Sequence, residues 1–139
     1  MSLDSLRIYQ TAAKVSDEIS KLVSGWNDFH KTTLGSQIVR AADSIGNNIS
    51  EGYGRVSTGE RIQFFMYADG SISEVRNCLA RAAERGLIER TNADSLIDAL
   101  RSLSIQLVEF SYAILQRDTE YSGPFRERIA RRRAWRSNR

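Results

Sequence analysis

The sequence predicts an all-α fold: an antiparallel up-and-down four-helix bundle with a basic C-terminal tail. Three observations carry that expectation. Apolar residues recur at steps of three and four along four separate stretches, no stretch alternates as a strand would, and the only proline, Pro124, lies beyond all four. With 139 residues, 41% of them hydrophobic, the chain is long enough for one domain with a real core and too short for two ordinary ones.

The first helix is expected over roughly 4–25, where Ile8, Ala12, Val15, Ile19, Leu22 and Trp26 form one stripe. A second, roughly 35–53, carries Ile38, Ala41, Ala42, Ile45 and Ile49. Ser57-Thr58-Gly59-Glu60 reads as a capping box that opens the third, with Ser57 as N-cap and Glu60 reaching back to it. That helix continues through Phe65, Ala68, Ile72, Val75, Leu79 and Ala82 to a capping Gly86. Thr91 or Asn92 is expected to cap the fourth, whose Leu96, Leu100, Leu103, Leu107, Phe110 and Ile114 make a heptad seam. Connections of roughly 10, 4 and 5 residues favour antiparallel neighbours, and the first, through NDFHKTTL, is the longest.

Charge divides the chain. Net charge is +3, but residues 117–139 hold eight arginines against three acids, so the first 116 residues carry −2. The expected organisation is therefore a bundle domain over 1–116 and an arginine-rich tail over 117–139. Of the 20 basic residues 17 are arginine, the side chain suited to bidentate phosphate or carboxylate contacts. A single cysteine, Cys78, cannot build a disulfide framework and suits a reducing cytoplasm. No apolar run reaches the length of a membrane span, and the start MSLDSLRIYQ does not read as a signal peptide.

The stretch RAADSIGNNISEGYGR, residues 40–55, looks glycine-rich enough for a phosphate loop. That reading is weak: Gly52-Tyr53-Gly54 lacks a third glycine at the required offset, and no strand precedes it. The isoleucine stripe runs through Gly46, Asn47 and Asn48 without a break, so the stretch is largely helix interior. At 100° per residue Ala41, Ala42 and Gly52 fall near the stripe, while Asn47 and Glu51 face away. Small residues there let another helix approach closely, and close packing or a bend is the expected reason for Gly46.

These residues also carry a resemblance. TLGSQIVRAADSIGNNISEGYGR, followed by a capped helix containing ADGSISEV, resembles the four helix bundle family also known as intervening-sequence proteins. Their reading frames lie in insertions within large-subunit ribosomal RNA genes or stand alone in bacterial genomes. The similarity covers roughly 5–115. Its motif positions include Arg40, Asn48, Glu51, Gly52, Tyr53, Gly54, Arg55 and Glu74. Gly46 departs from it, since the family usually has proline there. The resemblance implies a ring-like homo-oligomer, a pentamer, with no established enzymatic activity. It extends distantly to the accessory protein of diversity-generating retroelements, which associates with nucleic acid and a reverse transcriptase.

The inventory of reactive side chains points away from an enzyme. The only histidine, His30, sits in the first connection, and the Glu-x-x-His pairs of bundle metal sites are missing. Cys78 has no histidine beside it, and Glu51 and Glu74 read as salt-bridge partners of arginines. No catalytic residue, metal or cofactor is expected. Two functional readings remain, a nucleic-acid-associated module and a protein-binding or structural assembly unit. For the first, Arg126, Arg128, Arg131, Arg132, Arg133 and Arg136 are the candidate RNA phosphate contacts, with Trp135 as a stacking face. For assembly, Ile105, Val108, Tyr112 and Leu115 form a second apolar stripe on the fourth helix and are the candidate oligomer interface. The alternative is that the tail folds back and covers this stripe with Phe125, Ile129 and Trp135.

Overall fold

The four stripes form four helices, and the tail adds a fifth long one. The structure, a computed structural model, describes residues 3–137, with side chains described over 7–135. In order, α1 spans Leu3–Ser24, α2 is the single turn Asp28–His30, α3 spans Ser36–Gly54, α4 Thr58–Glu84, α5 Arg90–Arg117 and α6 Phe125–Ser137. A π-helical turn, Lys31–Gly35, joins α2 to α3. There is no strand among the described residues.

Around the bundle α1 neighbours α3, α3 neighbours α4, α4 neighbours α5, and α5 returns to α1. Residue pairings show that neighbours run antiparallel. Tyr9 lies against Gly46 and Ser16 bonds Asp43; Ser44 bonds Ser71 and Gly52 lies against Phe65; Asp69 bonds Ser104 and Thr58 bonds Asp118. The expected stripes supply the core. Ile8, Ala12, Val15 and Ile19 of α1 are buried with Ile38, Ala41, Ala42, Ile45 and Ile49 of α3. They meet Phe65, Ala68, Ile72, Val75, Leu79 and Ala82 of α4 and Leu96, Leu100, Leu103 and Leu107 of α5. Phe110 and Ile114, expected to continue the seam, are only half-buried.

Helix ends follow local chemistry. The Ser57 hydroxyl accepts from the Glu60 amide at 3.2 Å, which caps α4. The second half of the expected box is altered: the Glu60 carboxylate accepts from the Ser57 hydroxyl at 3.2 Å, and also pairs with Arg55. Gly86 closes α4 at φ 72°, the left-handed region that favours glycine. There the Leu87 amide reaches the Ala82 carbonyl and the Gly86 amide the Ala83 carbonyl, the paired bonds of a Schellman end.

Three expectations change. The connection after α1 is helical: Asn27 accepts from the His30 amide, and the Thr32 and Thr33 hydroxyls donate to the Asp28 and Phe29 carbonyls. One helical path thus runs from Asp28 to Gly54, with the π turn absorbing an extra residue before the isoleucine stripe begins. Second, α5 starts at Arg90 with Glu89 at the cap position and no side-chain cap bond, so neither Thr91 nor Asn92 fills that role. Third, the tail from residue 117 is not an appendage. α6 folds back, and Phe125 and Ile129 form a second buried cluster with Ile62 of α4 and Val108 and Leu115 of α5.

The glycines of the 40–55 stretch separate sharply. A Cβ on Gly52 would sit 2.5 Å from Cε1 and 2.8 Å from Cδ1 of Phe65. That ring cannot easily yield, being 1% exposed and packed against Tyr53 and Phe110. A Cβ on Gly46 would meet Tyr9 at 3.6 Å, an ordinary contact, so close packing does not explain that glycine. We expect Gly52→Ala to destabilise the protein by about 1–3 kcal/mol through overpacking. Gly46→Ala should be neutral or stabilising by up to ~1 kcal/mol, through helix propensity. Urea denaturation of both variants checks this, and equal midpoints would contradict the assigned packing.

A pH effect follows at the same end of the bundle. The Thr58 hydroxyl donates to Asp118 at 2.6 Å. That bond, then the Glu120 and Tyr121 amides and the nearby Arg126 charge, hold the Asp118 carboxyl below the usual carboxylate range against a smaller opposing effect of desolvation. A carboxyl depressed in the folded state stabilises it above the unfolded pKa and loses that contribution as pH falls through the folded pKa, here below about pH 4. In Thr58→Val the Asp118 titration midpoint should move upward toward the ordinary value. A carboxyl-detected NMR titration measures it, and an unmoved midpoint would remove Thr58 as the main cause.

Candidate functional site on the outward face of α3 and α4

The motif positions split into an inward and an outward set. Gly52 is buried against Phe65, and Tyr53 is half-buried with its ring 5.6 Å from Phe65 and 5.9 Å from Phe110. Phe65 and Phe110 are themselves 5.6 Å apart, so the three rings join α3, α4 and α5 in edge-on and tilted pairs. Gly54, exposed and with nothing near its Cβ direction, ends α3.

The remaining positions line up outside. Arg40, Ser44, Asn48, Glu51 and Arg55 recur every three or four residues along α3. On α4 the matching row is Phe64, Tyr67, Ser71 and Glu74. The rows are tied together by the Ser44 and Ser71 hydroxyls at 2.6 Å and by Arg55, whose guanidinium lies 4.8 Å from the Phe64 ring centroid. Arg55 also pairs with Glu51 at 3.0 Å and Glu60 at 3.5 Å. Asn48 donates to the Ser44 carbonyl at 2.9 Å, while Arg40 and Glu74 are exposed.

At its α3–α4 turn this polar face becomes apolar. Val56 is 93% exposed and Tyr67 51%, with the partly buried Phe64 edge-on to Tyr67 at 5.8 Å. Exposed single hydrophobics are ordinary; an aromatic pair at the surface with an arginine over one of its rings is the composition of a contact surface. Ion pairs exposed as these are contribute little stability, about 0–1 kcal/mol each. Sequence reasoning missed Val56, Phe64 and Tyr67, although the row Phe64–Tyr67–Ser71–Glu74 repeats at helical spacing on the flank of the buried stripe.

The candidate interface on α5 is corrected. Val108 and Leu115 are 1% and 2% exposed under α6, Tyr112 is half-buried beside the same cluster, and only Ile105 remains exposed. The chain itself covers that stripe. Phe125 and Ile129 provide the cover as the alternative anticipated, whereas Trp135 stays 53% exposed.

The candidate phosphate contacts are also redistributed, because three of them are engaged with groups outside α6. Arg126 donates to the carbonyls of Leu115, Asp118 and Tyr121, satisfying the end of α5. Arg132 pairs with the buried Asp69 at 3.1 Å and reaches the Ser104 hydroxyl at 3.3 Å. Arg133 forks onto Glu109 at 2.9 and 3.2 Å and lies 3.7 Å from the Tyr112 ring centroid, and the Glu109 bond pushes its pKa further up. Arg128 and Arg131 are exposed, the latter paired with Glu127 one turn away. Arg136 lies outside the residues whose side chains are described.

No reactive constellation gathers around the face. Cys78 is buried in the core, and burial foremost, then Glu74, pushes its thiol pKa up, which keeps it protonated. Among the described residues no three His, Cys, Asp or Glu side chains converge on a metal position, and no helix is long and apolar enough to cross a membrane.

No curated protein matches the chain. Among solved structures it resembles a protein of unknown function from the S23 ribosomal protein family of Bacteroides thetaiotaomicron. The TM-score is 0.73 at 19% identity, over 78% of this chain and 98% of that one, a likeness of fold alone. The family model described as 23S rRNA-intervening sequence protein matches residues 4–109, which takes in α1 to most of α5 and leaves α6 outside. The chain belongs to the 23S rRNA-intervening sequence protein family.

Proposed function

We propose that this chain is a non-catalytic assembly module that forms a ring-like homo-oligomer, a pentamer as its family resemblance implies, through the outward face of α3 and α4. The observation that carries the reading is the apolar end of that face, where Tyr67 is 51% exposed with Phe64 edge-on to it and Val56 is 93% exposed in the turn before α4. A ring needs heterologous contacts, so this face meets a different surface of the neighbouring copy. Arginine, aromatic and hydroxyl side chains suit such a contact, joining a dry centre to a polar rim. No cofactor or membrane enters the reading, and the single buried thiol suits the cytoplasm.

Association with nucleic acid is the second reading, supported by the exposed side of α6. Arg128 and Arg131 face solvent near the half-exposed Trp135, which has the Arg132 guanidinium 5.3 Å from its ring centroid. The family name speaks of 23S rRNA, which makes structured or single-stranded RNA the natural probe.

Phe64→Glu combined with Tyr67→Glu should give a folded monomer with unchanged helical content. Light scattering tests it: a monomeric parent, or an oligomer mass unaltered in the variant, would refute the assembly face. For RNA, Arg128→Ala with Arg131→Ala should weaken binding and flatten its salt dependence by a slope of roughly 1.4, at ~0.7 for each single-strand phosphate left without its arginine. Fluorescence anisotropy across a salt series measures both. Identical affinity and slope in the two proteins would exclude these arginines as the RNA-binding groups.

A further inference from the structure

α6 is held differently from the bundle helices. Each of α1, α3, α4 and α5 contributes at least four buried apolar side chains to one continuous core, and no described side chain of α6 belongs to it. The second cluster, Ile62, Val108, Leu115, Phe125 and Ile129, meets that core through the partly buried Met66 and Ile114, and α6 supplies only two of its members. At 13 residues, α6 is at the length where an isolated helix is marginal in water, so its order depends on what it lies against. Its other attachments are charged: Arg126 to the carbonyls of Leu115, Asp118 and Tyr121, Arg132 to Asp69 and Ser104, and Arg133 to Glu109 over Tyr112. A single connection, residues 118–124 with Gly123 and Pro124, links it to α5.

We propose that the groove between α4 and α5 is a docking site for an arginine-bearing amphipathic helix, and that α6 is its tethered occupant, able to leave while the four-helix bundle stays folded. The groove has the two features that select such a helix. Its floor is apolar at Ile62, Val108 and Leu115. Its walls carry the Asp69 carboxylate, 10% exposed even with α6 in place, and the Glu109 carboxylate. A buried carboxylate that loses its cation is strongly penalised, so a purely apolar helix fits poorly and one placing an arginine at the position of Arg132 fits well. The complementarity is already displayed in cis: Phe125 and Ile129 point into the floor from one face of α6, and Arg132 and Arg133 follow one turn later. In the closed chain the tether gives α6 a high effective concentration and excludes a competing helix. The site is therefore available only when α6 lifts. This inference is independent of the assembly face, which lies on the outward side of α3 and α4.

Hydrogen exchange read by mass spectrometry on the full chain tests detachment. In Arg132→Ala with Arg133→Ala, α6 amides should exchange about a hundredfold faster than in the parent, while α1 and α3 amides change by less than about threefold; the first figure is the size expected for a broken buried pair. Arg131→Ala, an exposed control, should leave both unchanged. A fluorescein-labelled peptide of residues 123–137 should then bind the double variant at least about tenfold more tightly than the parent, because the tethered competitor is weakened. The same peptide carrying Arg132→Ala should lose that binding. α6 exchanging in step with α1 and α3 would overturn the proposal. So would a peptide that binds parent and variant alike, or neither.

Discussion

The close approach of α3 to α4 governs the rest of the molecule. It is possible because residue 52 has no side chain, and the Phe65 ring fills the space a Cβ would occupy. With Phe65 seated there, Tyr53 and Phe110 stack around it, so one glycine position couples three helices through aromatic contacts. The same approach brings the Ser44 and Ser71 hydroxyls within hydrogen-bond distance and sets Arg55 over Phe64. Widening this seam would separate the two outward rows and dissolve the face they form. Packing and candidate function therefore share one cause: α3 has no side chain at residue 52, where it meets Phe65, and its outer side can register with α4.

Charge does the comparable work at the C-terminus. The arginines of α6 complete the end of α5, neutralise a buried carboxylate and fork onto Glu109. A tail that looks by composition like a polyanion ligand is, in large part, an internal electrostatic closure. Among the described residues only its solvent side, with Arg128, Arg131 and Trp135, keeps the character that the sequence suggested.

How much of this was legible depended on whether the signal was periodic or relational. Stripes such as Ile38–Ala42–Ile45–Ile49 specify a helix and its buried side by spacing alone, and those residues are buried. The Ser57 cap and the Gly86 end were readable because capping chemistry is local. What was not readable involved partners distant in sequence. A helical projection puts Gly52 near the stripe and Gly46 on its flank, but it does not show that the Phe65 ring fills the space beside Gly52. The second stripe on α5 was visible, but its occupant was not: Val108 and Leu115 call for cover, and periodicity does not say whether another copy or α6 supplies it. The segment from Asn27 to Gly35 misled for a different reason, since polar and threonine-rich residues read as a loop. Their hydroxyls instead satisfy helical carbonyls around a π turn.

The central proposal is that copies of the chain assemble through the face on α3 and α4 and not through the stripe on α5. Hydroxyl-radical footprinting of the full chain, at protein concentrations below and above its assembly threshold, tests it most directly. Tyr67 and Phe64 should lose reactivity as the assembly forms, while Trp135 at the end of α6 keeps its own. Undiminished oxidation of Tyr67 in the assembled state, with protection appearing instead along α5 or α6, would contradict the account.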